Sequence, residues 1–192
     1  EPLYLDFAAS TPPADEVVDA MLPWLRHTHA NPHSEHFHGR RTAIALDNAR
    51  VAVAALIGGQ PEEVVFTSGA TEANNLALKG LLSAAGARNR LWLADTEHKS
   101  LREPAHHLSR AGVTVTRLAV KSTGLIDVTT LTAALDTPDR APGLVAMGHG
   151  NNEFGTLQPL AALAECVHAY GHLFHVDASQ SAGRVSLDVE AI

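Results

Sequence analysis

The segment 64–79 constrains the fold of this chain most, because its pattern changes from strand-like to helix-like at a glycine. Val64–Phe66 is a run of β-branched and aromatic residues, which predicts a buried strand. After Gly69, apolar residues recur at helical spacing as far as Leu82, which predicts a helix. Such a corner presents backbone N–H groups and the positive end of a helix dipole, so it can bind a phosphate; an ordinary βα turn is the alternative.

Three later segments share one character, an apolar run followed by polar side chains. They are residues 91–98, 144–155 and 173–181. Ligands of open α/β sheets bind outside the carboxyl ends of the strands, so we expect the polar side chains to meet the residue 64–79 corner at one rim. The candidate residues at this rim are Thr71, His98, Asn152, Asp177 and Gln180. For Asp177, the alternative is an aspartate that only caps the turn after its strand.

A rim of this composition suits pyridoxal 5'-phosphate. The cofactor's phosphate needs the amino terminus of a helix, and its protonated ring nitrogen needs a carboxylate. The ring oxygen needs a hydrogen-bond donor, and the face of the ring needs an aromatic group to stack on it. The candidate for the phosphate is Thr71, and the candidate for the ring nitrogen is Asp177. Gln180 or Asn152 would contact the ring oxygen, and His98 would stack on the ring. Pairing with the ring nitrogen should lower the pKa of Asp177.

The rest of the pattern predicts an α/β fold. Strand and helix signals alternate from Val64 to Asp177 with short turns, which favours a mostly parallel sheet with helices on both faces. Ahead of them we expect a helix over Ala14–Arg26 that Pro23 interrupts, and a second helix over Arg40–Ile57 that ends at two glycines.

The composition of the chain bears on which kinds of binding partner can be expected. The net charge is −7, with 21 acids against 14 bases and no basic run, so we expect neither nucleic acid nor an anionic membrane as a partner. The single cysteine, Cys166, lies in a helical pattern and is expected to be buried and inert. The absence of a signal-like or membrane-length apolar run predicts a cytoplasmic protein.

Two residue types invite other interpretations. The chain has 12 histidines, and five of them crowd one polar stretch, His27, His29, His33, His36 and His38. Their spacing in a proline-containing loop does not fix the tetrahedral arrangement that zinc needs, so no metal site is predicted. His149 is expected to form hydrogen bonds at a strand end. The three lysines, Lys79, Lys99 and Lys121, are expected at the surface.

Six short motifs of the chain follow one another in an order that is typical of one enzyme family. They are Tyr4–Pro12, Asn31–Ser34, Phe66–Glu72, Thr96–Lys99, Asn151–Gly155 and His175–Ser181. In this order the chain resembles the amino-terminal part of a cysteine desulfurase of the class V aminotransferase family, in the group that serves iron–sulfur cluster assembly and nitrogen fixation. The resemblance implies a fold-type I large domain that binds pyridoxal 5'-phosphate. It also implies the conversion of L-cysteine to L-alanine, with the sulfur passed on through a persulfide.

The resemblance assigns a role to each candidate. Ala70 and Thr71 would hold the phosphate, and Asp177 would pair with the ring nitrogen. His98 would stack on the ring and act catalytically in proton transfer. Asn152 and Gln180 would contact the ring oxygen or the substrate carboxylate.

The resemblance also implies parts that these residues do not contain. The lysine that forms the Schiff base, the persulfide cysteine and the arginine for the substrate carboxylate would follow Ile192. We therefore expect an arm over residues 1–15, a partial large domain over 16–192, and no activity from these residues alone. A homodimer, with the loop 31–39 near its interface, and a sulfur-accepting or scaffold protein are the implied partners. A selenocysteine lyase, another class V aminotransferase and a non-catalytic phosphate-ligand-binding module remain alternatives.

Overall fold

The computed structural model describes residues 2–83, 86–138 and 141–192, and it is an α/β protein. The helices are α1 Asp15–Arg26, α2 Phe37–Ile57, α3 Ala70–Leu81, α4 Lys99–Arg110, α5 Val128–Leu135 and α6 Leu160–Ala169. The strands are β1 Arg90–Ala94, β2 Thr114–Leu118, β3 Leu144–Gly148 and β4 Leu173–Asp177. Short 3-10 turns cover Pro61–Glu63 and Val189–Ala191.

The chain forms two compact units. One unit runs to Val65 and includes Leu187–Glu190, and the other covers Phe66–Ser186 with the last two residues. The first holds α1 and α2, and the second holds the sheet. The predicted division into an arm of residues 1–15 and a partial large domain of residues 16–192 stays a prediction.

The sheet confirms the predicted parallel arrangement. Its strands are parallel in the order β2-β1-β3-β4, and Leu91 of β1 pairs with Leu144 of β3. Alternate residues of β1 enter two different cores. Leu91 and Leu93 pack with side chains of α3 and α4. Trp92 and Ala94 pack with side chains of α5 and α6. Because successive side chains of a strand point to opposite faces, helices cover both faces of the sheet.

The predicted strand at Val64–Phe66 is wrong. This segment is extended but forms no ladder with any strand of the described chain, and Val65 and Phe66 are 67% and 45% exposed. The Arg50 guanidinium donates instead to the Val64 carbonyl, one of the groups a ladder would use. A β-branched sequence favours a half-buried pleated surface but does not create one without a neighbouring strand.

The two helices of the first unit depart slightly from their predicted bounds. Pro23 does not interrupt α1, which runs on to Arg26; the N–H groups of His27 and Thr28 donate to the Pro23 carbonyl at 2.9 and 3.0 Å. Helix α2 starts at Phe37, three residues earlier than predicted, because His36 acts as its N-cap. It ends as predicted at Gly58, whose φ of 73° suits glycine.

Across the described residues, no helix combines the length and the apolar character that crossing a bilayer requires.

Candidate active site

The carboxyl ends of three neighbouring strands bring the predicted rim together. His98 follows β1, Asn152 follows β3, and Asp177 ends β4, and these strands are adjacent in the sheet. The ends of β3 and β4 are tied directly, since the His149 N–H donates to the Asp177 carbonyl at 2.9 Å. These side chains therefore lie along one sheet edge, where ligands of parallel α/β sheets bind.

The amino terminus of α3 is built as the sequence predicts. Gly69 is its N-cap, with φ 154° and ψ 180°, a backbone region that glycine alone adopts readily. Ala70 and Thr71 are the first helical residues and are exposed. The first N–H groups of a helix have no intrahelical partner, so these two residues present donors to an anion.

A carboxylate stands close to this terminus. Glu72 Oε2 accepts from the backbone N–H and the hydroxyl of Ser68, both at 2.6 Å. These two bonds lower the pKa of Glu72. Glu72 thereby fixes the turn before Gly69, and its acceptor is directed at Ser68 rather than at the amides of the first helical turn.

Asp177 is half-buried at the end of β4 and accepts hydrogen bonds on both oxygens. Its Oδ1 accepts from the backbone N–H of Ser179 at 3.0 Å and from the Ser179 hydroxyl at 2.5 Å. Its Oδ2 accepts from the Asn74 amide at 2.7 Å. Burial raises the pKa of Asp177, but the donors on Ser179 and Asn74 outweigh burial and hold it below its usual value. The turn-capping alternative is thus correct for Oδ1, while Oδ2 reaches into α3.

Sequence reasoning missed Asn74, which connects α3 to the sheet edge. Its side chain is 2% exposed. Besides Asp177, its Nδ2 donates to the Ser100 hydroxyl at 3.1 Å, and its Oδ1 contacts His175 Nε2 at 2.8 Å. The sequence did carry a signal, since Asn74 precedes the buried Leu78 by four residues and so shares its inward face.

His98 is exposed at the rim and caps α4. Its Nδ1 accepts from the Ser100 backbone N–H at 3.1 Å, and the Ser100 hydroxyl lies 2.9 Å from the same nitrogen. His98 and Asn152 line one cavity, together with Thr96 and Phe154 among others. The structure therefore brings these two predicted residues to a common pocket.

Glu97 is a second residue that sequence reasoning missed. It is 9% exposed, and its Oε2 accepts from the Gly148 N–H at 2.9 Å. Burial raises the pKa of Glu97 to about 7, and the charge of Asp177 acts in the same direction, while the Gly148 N–H opposes both. A carboxyl group that holds its proton up to neutral pH thus lies directly before His98.

The remaining predicted contact residue, Gln180, lies on the loop after β4. It is half-buried, and a Cβ placed on Gly150 would come within 3.3 Å of its Cβ. Gln180 therefore packs against the loop after β3. Within the described chain, neither Gln180 nor the Ala70–Thr71 turn lines the cavity that His98 and Asn152 share.

The loop after β3 is anchored by side chains on either side of Asn152. Asn151 Oδ1 accepts from the N–H groups of Glu153 and Phe154 at 2.8 and 2.9 Å, and its Nδ2 donates to the Thr96 carbonyl at 3.3 Å. His149 is buried and its Nδ1 lies 2.9 Å from the Ser181 hydroxyl, which confirms its predicted hydrogen-bonding role. Burial lowers the pKa of His149.

The other predicted residues lie where expected, with one qualification. All three lysines are exposed, and Lys121 pairs with Asp127 at 2.5 Å. Cys166 is in α6 but only half-buried, with its sulfur 3.3 Å from the Thr132 hydroxyl. In the ranges that the structure describes, no three histidine, cysteine or acidic side chains form a candidate metal cluster.

Known proteins resemble this chain along its whole length. A family model described as aminotransferase class-V matches residues 3–192. The cysteine desulfurase IscS of Neisseria meningitidis is 42% identical over 194 residues, which is 99% of this chain and 47% of the relative. The mitochondrial cysteine desulfurase of Drosophila melanogaster is 42% identical over 193 residues, which is 100% of this chain and 41% of the relative.

A solved structure supports the fold. The structure titled SspA in complex with cysteine matches with a TM-score of 0.90 at 36% identity, covering 98% of this chain and 54% of that chain. This likeness confirms the predicted α/β fold class of fold-type I enzymes. The chain spans about half the length of the relatives it matches.

Proposed function

Because the chain belongs to the class V aminotransferase family, we propose that it is part of a cysteine desulfurase. Family membership confirms the predicted resemblance and its cofactor, pyridoxal 5'-phosphate. The proposed reaction converts L-cysteine to L-alanine and passes the sulfur on through a cysteine persulfide. The observation that carries the proposal is the Asp177–Asn74 bond, because it joins the phosphate-competent helix α3 to an ionised carboxylate at the sheet edge.

The residues present fit this cofactor. The exposed first turn of α3 offers amides of Ala70 and Thr71 to a phosphate. Asp177 is ionised and partly exposed, so it can accept from a protonated ring nitrogen, and the exposed ring of His98 is available for stacking. When bound, the cofactor supplies an electron sink for the charge that develops on the substrate.

The chain's own side chains place protons and orient the ligand. Asp177 keeps a proton on the group that it contacts, since its negative charge is itself stabilised by Ser179 and Asn74. His98 moves a proton at the rim. Asn152, on a loop anchored through Asn151, orients a ligand beside His98 in their shared cavity. The roles of these residues and of Gln180 are parts of the proposal.

The proposed partners follow from the same function. L-cysteine is the substrate, and a sulfur-accepting protein receives the product. A cytoplasmic homodimer is the proposed state. Exposed apolar side chains on α1, namely Val17, Met21, Trp24 and Leu25, support association of this helix with another protein surface.

The test measures cofactor binding and turnover by the intact protein. Pyridoxal 5'-phosphate should give a protein-bound absorbance band, and L-cysteine should yield alanine and sulfide in equal amounts under reducing conditions. Asp177→Asn should lower both, whereas Glu165→Gln, which removes an exposed carboxylate of α6, should lower neither. Turnover of selenocysteine alone, or of another amino acid, would favour the alternative enzymes. Phosphate-ligand binding without any turnover would favour the non-catalytic module and refute the proposal.

A further inference from the structure

Asn74 has its hydrogen-bonding groups directed at three different side chains. Asp177 lies at 2.7 Å and Ser100 at 3.1 Å from Nδ2, and His175 lies at 2.8 Å from Oδ1. At 2% exposure no bulk water competes for these contacts. A buried amide of this kind is held in one orientation, because turning it would break bonds that nothing else replaces.

The chemistry of Asp177 fixes that orientation. An ionised carboxylate only accepts hydrogen bonds, so the amide must turn its NH₂ group toward Asp177. The Asn74 oxygen then faces His175, whose Nε2 must carry a hydrogen. Burial lowers the pKa of His175 although the Asp177 charge opposes it, so this ring is neutral at neutral pH and its contribution is a hydrogen bond, not a charge.

Hydrogen bonds through Ser100 connect Asn74 to His98. The second hydrogen of the Asn74 NH₂ group points to the Ser100 oxygen, which leaves the Ser100 hydroxyl hydrogen for His98 Nδ1 at 2.9 Å. The Ser100 backbone N–H donates to this nitrogen as well, at 3.1 Å, and a backbone N–H cannot accept. His98 Nδ1 is therefore an acceptor, and the proton of the neutral ring resides on Nε2.

We propose that Asn74 is a positioning residue that acts through Ser100 to hold His98 as its Nε2–H tautomer. The relay runs from Asp177 through Asn74 and Ser100 to His98, so one buried amide connects two of the predicted cofactor-contacting side chains. What this does for catalysis rests on the proposed function: His98 reaches the rim with a proton already at Nε2. The tautomer itself does not depend on that function.

The test is ¹⁵N NMR of the intact protein labelled at histidine, without ligand, at about pH 8, where an ordinary histidine is neutral. His98→Ala assigns the His98 signals among those of the 12 histidines. The wild-type spectrum should show His98 with a directly bonded proton on Nε2 and an unprotonated Nδ1. In Ser100→Ala and Asn74→Leu the backbone N–H of residue 100 still donates to Nδ1, so both nitrogen signals should move only part of the way toward the positions of a tautomer mixture.

The neighbouring Asn75 offers a matched control. Its side chain donates to the Thr71 carbonyl of its own helix, outside the relay, so Asn75→Leu should leave the His98 signals unchanged. Ser100→Ala removes a single oxygen and decides the question if Asn74→Leu does not fold. A proton on Nδ1 in the wild type, or a wild-type pattern in Ser100→Ala, would overturn the inference.

Cofactor addition separates this inference from the proposed function. A fixed Nε2–H tautomer that Ser100→Ala loosens, in a protein that binds no pyridoxal 5'-phosphate, would support the relay and refute the function. A bound cofactor together with a tautomer that ignores Ser100 would support the function and refute the relay.

Discussion

Replacing Glu97 with glutamine should make the protein less sensitive to rising pH. Glutamine has nearly the same shape and keeps an oxygen that can accept from the Gly148 N–H, but it carries no charge. The wild-type carboxyl has to ionise in a buried position near Asp177, and this is why its pKa is raised to about 7.

The sign and size of this pH effect on stability follow from the difference between the pKa of Glu97 in the folded and in the unfolded protein. An acid whose pKa is higher in the folded protein than its model value of 4.5 binds its proton more tightly when folded. The stability it lends is fully present below pH 4.5 and is lost as pH rises through about 7. At ~1.4 kcal/mol per pH unit, the gap between these values corresponds to about 3 kcal/mol of unfolding free energy.

The assay is urea unfolding of the ligand-free intact protein, wild type against Glu97→Gln, from about pH 4.5 to about pH 8. The unfolding free energy of the variant, relative to the wild type, should rise by about 3 kcal/mol across this range. The buried His149 and the half-buried His175 also titrate, with the opposite sign, but they are common to both proteins and drop out of the difference. Glu103→Gln, which removes an exposed carboxylate of α4, controls for the loss of one negative charge. A difference that stays constant with pH would refute the buried, proton-holding Glu97.

Three further changes address the rim directly. Asp177→Asn should remove a charge-assisted bond worth about 1.5–3 kcal/mol and weaken cofactor binding roughly 10- to 100-fold, measured by equilibrium absorbance titration; unchanged affinity would leave Asp177 as a turn residue only. His98→Ala should slow turnover of L-cysteine while the circular dichroism of the fold is retained; full turnover would remove His98 from the proton-transfer role. Gly69→Ala should destabilise the protein by about 1–3 kcal/mol in thermal unfolding, because a Cβ meets no atom within 4 Å there but the backbone conformation suits only glycine. An unchanged midpoint would show that the α3 turn relaxes without cost.

The parallel sheet was predictable because the buried strands carry continuous apolar runs. β1 and β3 are buried on both faces, so their sequences stand out against the polar turns that follow them. Placing His98 and Asp177 at one edge then required only the rule that parallel strands end on the same side. β2 is less conspicuous, because it lies at the edge of the sheet and is partly exposed.

The failures share a physical cause, which is that pairing partners lie far away in the sequence. The sequence of Val64–Phe66 is typical of a strand, but a strand also needs a neighbouring strand to bond with. The Arg50 guanidinium donates to the Val64 carbonyl instead. Asn74 and Glu97 were not predicted at the site, because polar side chains are usually exposed. Their burial depends on acceptors and donors at Asp177 and Gly148, which are 103 and 51 residues away.

The protonation state of the cofactor's ring nitrogen tests the central claim most directly. Pyridoxal 5'-phosphate labelled with ¹⁵N in its ring would be bound to the intact protein and examined by NMR at about pH 8, above the range in which ordinary carboxylates titrate. If Asp177 contacts the ring, the nitrogen should give a protonated, pyridinium signal in the wild type and lose it in Asp177→Asn. An unprotonated nitrogen in the wild type, or a protonated one that persists in Asp177→Asn, would contradict the account.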